Sequence, residues 1–323
     1  PYTTLFRSCA PRYLNMFSPI IFRDKTIGMT ICYDCNHAAF SRMYGIQNVD
    51  IILNSTGGDV VYDKWHRYNK ARAIENNCYT FVTMGGDGCS DKFHSYVFGI
   101  SPSGRDMEPV LLRGTDNDTH NIPGGIYVFK VPDKTTDGSK TFAAQLETVN
   151  KVKDFTVSPD EIEDIFRKSK RLEDYLYLFP FKGKNLVFCV VDGERIMKPE
   201  IVLKLLYSDK LESVDEKHYI IVNRWETLDR NFYEEKLSTV LKVRAMENYC
   251  AVLLLSNNIW KCFQTGRNRT AQIVKLESDG WGIDLARTGG AETIWKNKTG
   301  MRRDWRKGYE WLIAALQKKE ERS

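Results

Sequence analysis

The chain has 323 residues and a mass of 37.4 kDa, a length that favours two domains of about 150 residues each. A composition of 42% hydrophobic and 28% charged residues excludes a disordered, collagenous or coiled-coil chain, and the net charge of +5 is too small to indicate a nucleic-acid partner. No apolar run reaches the ~18 residues of a membrane span, and eight irregularly spaced cysteines predict reduced thiols in a cytoplasmic protein.

The first half of the chain alternates predicted strands and helices in short order. A polar turn at residues 23–25 separates two apolar runs and predicts a hairpin. The second run leads into Cys32, after which Asn36 predicts the start of a helix that ends near Gly45, a glycine suited to a C′ position. This succession is typical of an α/β layer architecture. The predicted elements are strands 20–22, 26–31, 50–54, 78–84, 94–101, 109–112 and 126–131 and helices 36–45 and 61–77.

Residues 132–140 contain no apolar side chain and predict a linker between a first domain, 9–131, and a second domain, 141–323. The second domain opens on a capping-box sequence, Ser158 to Glu161. Residues 296–323 carry nine basic and four acidic residues and an apolar stripe, which predict an amphipathic helix packed on its own domain. The elements predicted between them are strands 185–189, 219–223 and 250–255 and helices 158–171, after 199, and up to 249.

Parts of the first domain recur in the second. The sequence RAIENNC at 72–78 recurs 172 residues later as RAMENYC, and the strand DIILN at 50–54 recurs as YIIVN. Cys32, at a strand end, is matched with Cys189 as its degenerate counterpart. Three elements in the same order predict a duplication.

Cys32 is the candidate for chemistry, because it lies where a buried strand is predicted to turn into a helix. Such an elbow exposes the side chain, and the helix N-terminus lowers the pKa of a thiol. Backbone N–H groups at the turn, that of Tyr33 first, can hold a developing oxyanion. Two other interpretations stay open: a buried strand cysteine, and a redox pair with Cys35 in a C-x-x-C spacing.

Four segments in order resemble the C-terminal half of the carbon–nitrogen hydrolase (nitrilase) superfamily: GMTICYD, NVDIILNSTGG, WHRYNKARAIENNCYTFV and HSYVFGISPSGR. The resemblance covers about residues 19–131. It implies an αββα sandwich, partial in the first domain, followed by a second, divergent nitrilase-like lobe. It also implies that Cys32 attacks a small-molecule amide or nitrile to form a thioester, with a glutamate as general base. A lysine and the N–H of Tyr33 then stabilise the oxyanion. This chemistry needs no metal or cofactor, and the family forms dimers, so a homo-oligomer stays open.

The sequence departs from this pattern upstream of Cys32. No glutamate precedes Glu75, and the one lysine before Cys32 is Lys25, too close to match the family's lysine. The first eight residues, PYTTLFRS, read as the translation of a sequencing adapter, which predicts a metagenomic reading frame that enters the gene partway. An ordinary chain end is the alternative.

Other residues are given roles from their position. Asn54 and Ser55, at the end of a central strand, are predicted pocket residues. Trp65 is predicted either in the pocket or, more often for such a residue, in the core. Arg72 and Glu75, three apart on one helix, predict an ion pair, with a catalytic Glu75 as the lesser alternative.

The basic loop 266–270 fits a solvated loop better than an anion site. Two function classes follow from these features. The first is a cysteine-dependent carbon–nitrogen hydrolase that is inactive as this polypeptide, because its base and lysine are missing. The second is a non-catalytic nitrilase-like protein that serves assembly or ligand sensing. The upstream DNA of the gene would discriminate between them.

Overall fold

The computed structural model describes residues 17–57, 62–85, 96–113, 126–131, 155–265, 271–273, 281–290 and 301–321. The chain forms two compact units. The first unit is Pro1–Ala144 together with Glu310–Ser323, and the second unit is Gln145–Tyr309. No helix in the described ranges has the length and apolar character needed to cross a membrane.

The first unit is built on a six-stranded mixed sheet with strands in chain order, β1 to β6. The hairpin β1–β2 is antiparallel, β2, β3 and β4 are parallel, and β5 and β6 return antiparallel. A separate antiparallel pair, β7–β8, follows. The elements are β1 Ile20–Phe22, β2 Lys25–Ile31, α1 Ala38–Gly45, β3 Ile51–Thr56, α2 Tyr62–Asn76, β4 Tyr79–Met84, β5 Tyr96–Ile100, β6 Asp106–Met107, β7 Val110–Arg113 and β8 Ile126–Val128.

Helices α1 and α2 pack closely on this sheet and on each other. A Cβ on Gly28 of β2 would lie 2.6 Å from the ring of Tyr44, so the strand needs glycine there. Gly45 is the last residue of α1 and not a C′ residue beyond it, which corrects the prediction. The physical reason for this glycine is close packing, because a Cβ on Gly45 would lie 2.0 Å from Oδ1 of Asn76 on α2.

The second unit has a seven-stranded mixed sheet, β10 to β16, and a two-stranded ribbon of β9 and β17. Strands β12, β13 and β14 are parallel, and the remaining pairs of this sheet are antiparallel. The elements are β9 Phe155–Val157, α3 Glu161–Lys168, β10 Lys170–Glu173, β11 Leu176–Phe181, β12 Lys184–Asp192, α4 Pro199–Leu206, β13 Lys217–Arg224, α5 Ser238–Asn248, β14 Ala251–Leu255, β15 Trp260–Thr265, β16 Ala271–Ile273 and β17 Trp281–Ile283. The last helix, α6 Met301–Glu320, begins in this unit and continues into the first.

Both faces of this second sheet are buried. Alternate residues of β12, such as Val187 and Cys189, pack with helices α4 and α5 on one face. The intervening residues, such as Phe188, pack with α3 and the β9–β17 ribbon on the other face. The strict alternation follows from the two-residue period of a strand. The predicted α/β class is confirmed in both units.

The two sheets share one succession of pairings. From β1 to β6, and again from β11 to β16, the pairs run antiparallel, parallel, parallel, antiparallel and antiparallel. The hairpin β11–β12 was missed from the sequence. Its two-residue turn places Lys182 and Gly183 at positive φ, the conformation of the tight hairpin turns that precede a twisted strand.

The C-terminal helix differs from the prediction, which packed residues 296–323 on the second domain. Its last part, from Glu310 onward, belongs to the first unit. There the ring of Trp311 stacks on Phe40 with centroids 6.2 Å apart, and Nζ of Lys319 donates to the carbonyl of Ile46 at 2.7 Å. Of the apolar stripe, Leu312 is fully buried, and Tyr309, which belongs to the second unit, stacks on Tyr207 of that unit with ring centroids 5.6 Å apart. The predicted linker, 132–140, lies outside the described residues.

Candidate active site at the Cys32 elbow

Strand β2 ends at Ile31, and the chain turns at Cys32 into a 3-10 helix, Cys32–Asn36. Cys32 has a φ of 50°, in the left-handed region that side chains rarely adopt. A non-glycine residue held there indicates strain that the surrounding structure maintains, as at the nucleophile elbow of serine hydrolases. The strand-to-helix turn at Cys32 therefore has the geometry of a nucleophile elbow.

Three hydrogen bonds hold this elbow in place. Asp34 accepts from the backbone N–H of Ile31 at 2.9 Å through Oδ2. The amide of Asn54, on β3, donates to the carbonyl of Cys32 at 3.4 Å. From α2, Nε of Arg72 donates to the carbonyl of Cys35 at 2.9 Å. The elbow is therefore fixed by its own turn, by the neighbouring strand and by the helix that packs on it.

Arg72 and Glu75 form a fully buried ion pair, with Nη1 and Oε2 2.5 Å apart. The guanidinium uses a further nitrogen for the Cys35 carbonyl, so a single side chain joins the pair to the elbow. Asn76 donates from Nδ2 to the Arg72 carbonyl at 2.9 Å and fixes the last turn of α2. Glu75 therefore has a structural role, as the counterion of Arg72, and is not at the Cys32 thiol.

Cys32 is the one described cysteine that is not buried. Burial of its thiol and the charge of Asp34 raise its pKa, whereas the N–H groups of Tyr33 and Gly57 and the charge of Lys64 lower it. Burial is the largest of these influences, so the net pKa is above the usual value. A thiol in this environment stays protonated at neutral pH and needs a base to become the nucleophile.

Cys35, the other half of the C-x-x-C spacing, is fully buried. Its Sγ lies 3.6 Å from Oδ1 of Asn36, and burial raises the pKa of its thiol. Both cysteines are free. Cys35 is therefore a core residue behind the elbow.

The residues predicted to line a pocket separate into two groups. Asn54 is buried and holds Thr30 and the Cys32 carbonyl, so it positions the elbow. Trp65 is also buried, and its Nε1 donates to Oγ1 of Thr56 at 2.9 Å, which places it in the core. Ser55 is exposed on the opposite face of β3, beside Ile31 in register.

Sequence reasoning missed Lys64, on the first turn of α2. Its side chain is buried, with Nζ 5.5 Å from the ring centre of Tyr33 and 5.3 Å from that of Trp65. The sequence shows only that this lysine lies between the elbow motif and RAIEN, next to a tryptophan. A lysine in a predicted helix is usually exposed to solvent, so its position alone does not predict burial.

The second unit has a related elbow, and its register corrects the pairing of Cys32 with Cys189. Asn223 donates from Nδ2 to the carbonyls of Val191 and Gly193, as Asn54 does to the Cys32 carbonyl. Gly193 opens a 3-10 helix with a φ of 56°. The position of Cys32 is thus taken by Gly193, and Cys189 lies four residues earlier, buried inside β12.

The buried ion pair recurs there as well. Arg244 and Glu247 are 2.6 Å apart, and Nε of Arg244 donates to the carbonyl of Ile196. Within the described ranges, no three His, Cys, Asp or Glu side chains come together as metal ligands do. The adapter-like residues 1–8 and the basic loop 266–270 lie outside those ranges.

Comparisons with known proteins match part of the chain. A family model described as carbon-nitrogen hydrolase matches residues 3–101. A carbon-nitrogen hydrolase structure from Helicobacter pylori G27 is 17% identical over 28% of this chain and 38% of that one, with a TM-score of 0.25. Nit3 from Saccharomyces cerevisiae, described as a member of branch 10 of the nitrilase superfamily, is 18% identical over 28% of this chain and 35% of its own, with a TM-score of 0.25.

The NitN amidase of Nesterenkonia sp. AN1 is 16% identical over 36% of this chain and 42% of its own, with a TM-score of 0.30. No curated protein matches the chain. The chain spans about two-fifths of the length of the solved structures it matches.

Replacing Glu75 by glutamine should destabilise the first unit by ~3 kcal/mol, because Arg72 would keep a buried charge without its counterion. Denaturant unfolding followed by tryptophan fluorescence measures the change. Asp24→Asn is the matched control, since Asp24 and Lys25 form an exposed pair in the same unit. If Glu75→Gln leaves the unfolding midpoint unchanged, the Arg72–Glu75 ion pair is exposed to solvent rather than buried.

Cys32 should be alkylated by iodoacetamide before the other described cysteines, because they are all buried. Peptide mapping by mass spectrometry after short exposures gives the order of labelling. Faster labelling of Cys262, on strand β15, with Cys32 protected would contradict the exposed elbow.

Burial raises the pKa of Asp34 to about 6 from its usual 3.8. The native state therefore binds this proton more tightly than the unfolded chain does, and the resulting stability is present below pH 3.8 and lost as the pH rises through about 6. Asp34→Asn keeps an oxygen acceptor for the Ile31 N–H without the titration. Urea unfolding from about pH 4 to about pH 7.5 should therefore show a smaller loss of stability in the variant than in the wild type. Parallel profiles would rule out the buried titration.

Proposed function

We propose, from the premise that residues 3–101 are part of a carbon–nitrogen hydrolase domain, that Cys32 is the nucleophile for hydrolysis of a small amide or nitrile. The observation that carries the proposal is the φ of 50° at Cys32, at a strand-to-helix turn that leaves its thiol partly exposed. A cysteine has no conformational reason to occupy this position, whereas a nucleophile gains access to substrate there.

In the acylation step, the Cys32 sulfur attacks the carbonyl carbon of the amide. The carbonyl π electrons move to the oxygen, and in this proposal the N–H of Tyr33 donates to it. When the oxyanion collapses, the C–N bond breaks and the amine leaves with the proton that the Cys32 thiol gave up, so that a thioester remains on Cys32. A nitrile would pass through a thioimidate, which adds water and releases ammonia to reach the same thioester.

In the deacylation step, water attacks the thioester carbon, gives up a proton, and the C–S bond breaks to release the acid. A general base is needed for this water and for the protonated resting thiol. No glutamate precedes Glu75 in the chain, and Glu75 is committed to Arg72. We therefore propose that an activated acyl donor can acylate Cys32, whereas turnover of an amide needs a base that neither Glu75 nor an earlier glutamate supplies.

The second unit supports a different role. Gly193 gives its elbow no nucleophilic side chain. Next to it, Asp192 forms an ion pair with Arg224, Nε to Oδ1 at 2.9 Å, and Nη1 of Arg224 lies 3.6 Å from Glu163. We assign this unit a non-catalytic role in assembly or ligand sensing.

The chain should become acylated without turning over. With 4-nitrophenyl acetate, an activated acyl donor, we expect a burst of nitrophenolate and one acetyl group per chain on Cys32, seen by mass spectrometry. The variant Cys32→Ala should show neither. Small amides and nitriles should release no ammonia, because loss of a general base typically costs ~10²–10⁴-fold.

Two results would contradict these expectations. Acetylation of another residue, with Cys32 unmodified, would overturn the assignment of the nucleophile. Ammonia release that Cys32→Ala abolishes would show that another group of this chain supplies the base.

A further inference from the structure

Lys64 is a buried cation beside the elbow. It lies in the first turn of α2 with 8% of its surface exposed. Removing an ammonium from water is costly unless nearby groups stabilise it, so a buried lysine requires an explanation. Here the ammonium lies over two aromatic faces, those of Tyr33 and Trp65, at distances typical of cation–π contacts.

The two rings fix where this charge lies. Trp65 is anchored in the core by its hydrogen bond to Thr56, and the Tyr33 ring packs edge-on against it, with centroids 5.0 Å apart and planes at 82°. Tyr33 directly follows Cys32 in the chain. A cation held over the Tyr33 ring is therefore held at the elbow.

The charge acts on the nearby sulfur. Among the described residues, two charged groups influence the Cys32 thiol: Asp34, from its own turn, raises its pKa, and Lys64, from α2, lowers it. The backbone N–H groups of Tyr33 and Gly57 act in the same direction as Lys64. Lys64 is thus the side chain that opposes burial and Asp34 at this site.

We propose that Lys64 is the cation that stabilises the thiolate of Cys32 for acylation. The inference rests on the proposed function and deepens it, because it gives the elbow a positive charge from a helix downstream of the cysteine. Lys64 keeps its proton throughout. Its field favours the sulfur anion formed when a base removes the thiol proton, and it favours the negative charge that passes to the substrate oxygen during attack.

The experiment measures the rate of Cys32 alkylation by iodoacetamide against pH. The reagent is uncharged, so loss of the lysine changes the reactivity of the sulfur rather than the local concentration of the reagent. Lys64→Met should raise the apparent pKa of the thiol and slow the alkylation of Cys32 several-fold at about pH 7.5 relative to the wild type. Lys64→Arg, which keeps the charge, should stay close to the wild type.

Lys70→Met is the matched control. Lys70 is also a buried lysine of α2, but the charge that acts on it is that of Asp106. This variant should leave the Cys32 profile unchanged. If Lys64→Met does not fold, as judged by circular dichroism, Lys64→Gln removes the same charge with a polar side chain and is read in the same way.

A neutral variant whose alkylation profile superimposes on the wild type would overturn the proposal. Alkylation does not require turnover, so this result is separable from the proposed function. If Cys32 acetylation fails but the neutral variant shifts the pH profile, the role of Lys64 stands and the hydrolase proposal fails. If acetylation succeeds and the profile does not shift, the hydrolase proposal stands and the role of Lys64 is overturned.

Discussion

The hydrogen bond from Arg72 to the Cys35 carbonyl is the constraint on which the site depends, because it joins a helix to the turn that carries the cysteine. Arg72 has no exposed surface, and Glu75 neutralises it within the same helix. A buried charge pair adds little net stability but fixes a unique geometry, since moving either partner leaves a charge without compensation. The second unit uses Arg244, Glu247 and the Ile196 carbonyl in the same way. The motif RAIEN therefore specifies the position of an elbow.

The two elbows differ in the residue at the positive-φ position, which is Cys32 in the first unit and Gly193 in the second. Gly193 adopts a φ of 56° without a steric penalty, whereas Cys32 adopts 50° at a cost of order 1–3 kcal/mol. Because glycine would satisfy the backbone better, conformation does not explain the cysteine. Under the proposed function the side chain supplies the reason, since a thiol presented at the end of a strand is suited to attack on an electrophile. The second unit has no side chain at the corresponding position.

The sequence predicted the elements whose signals are local. The DIILN strand, the helix that contains RAIEN and the turn at residues 23–25 all lie within a residue or two of their predicted bounds. It did not predict what packing decides. Cys189 was matched with Cys32 because both are cysteines. The hydrogen bond from Asn223 to the Gly193 carbonyl shows instead that Gly193 occupies the position of Cys32. Strand β11 was missed because the turn that joins it to β12, Lys182-Gly183, carries a weaker signal than Asn-Gly. Lys64 was missed because nothing in a single sequence distinguishes a buried lysine from a solvated one.

The charges at the elbow explain why the proposed chemistry of Cys32 would depend on a proton acceptor. Burial and Asp34 favour the neutral thiol, and Lys64 with two backbone N–H groups favours the thiolate. Because burial is the largest of these influences, the neutral form prevails at neutral pH. A base placed near the thiol would tip this balance, since the groups that stabilise the anion are already fixed by Trp65 and Arg72. Under the proposed function, the elbow is thus preorganised for the charged states of the reaction, and the proton acceptor is the component that controls whether those states are reached.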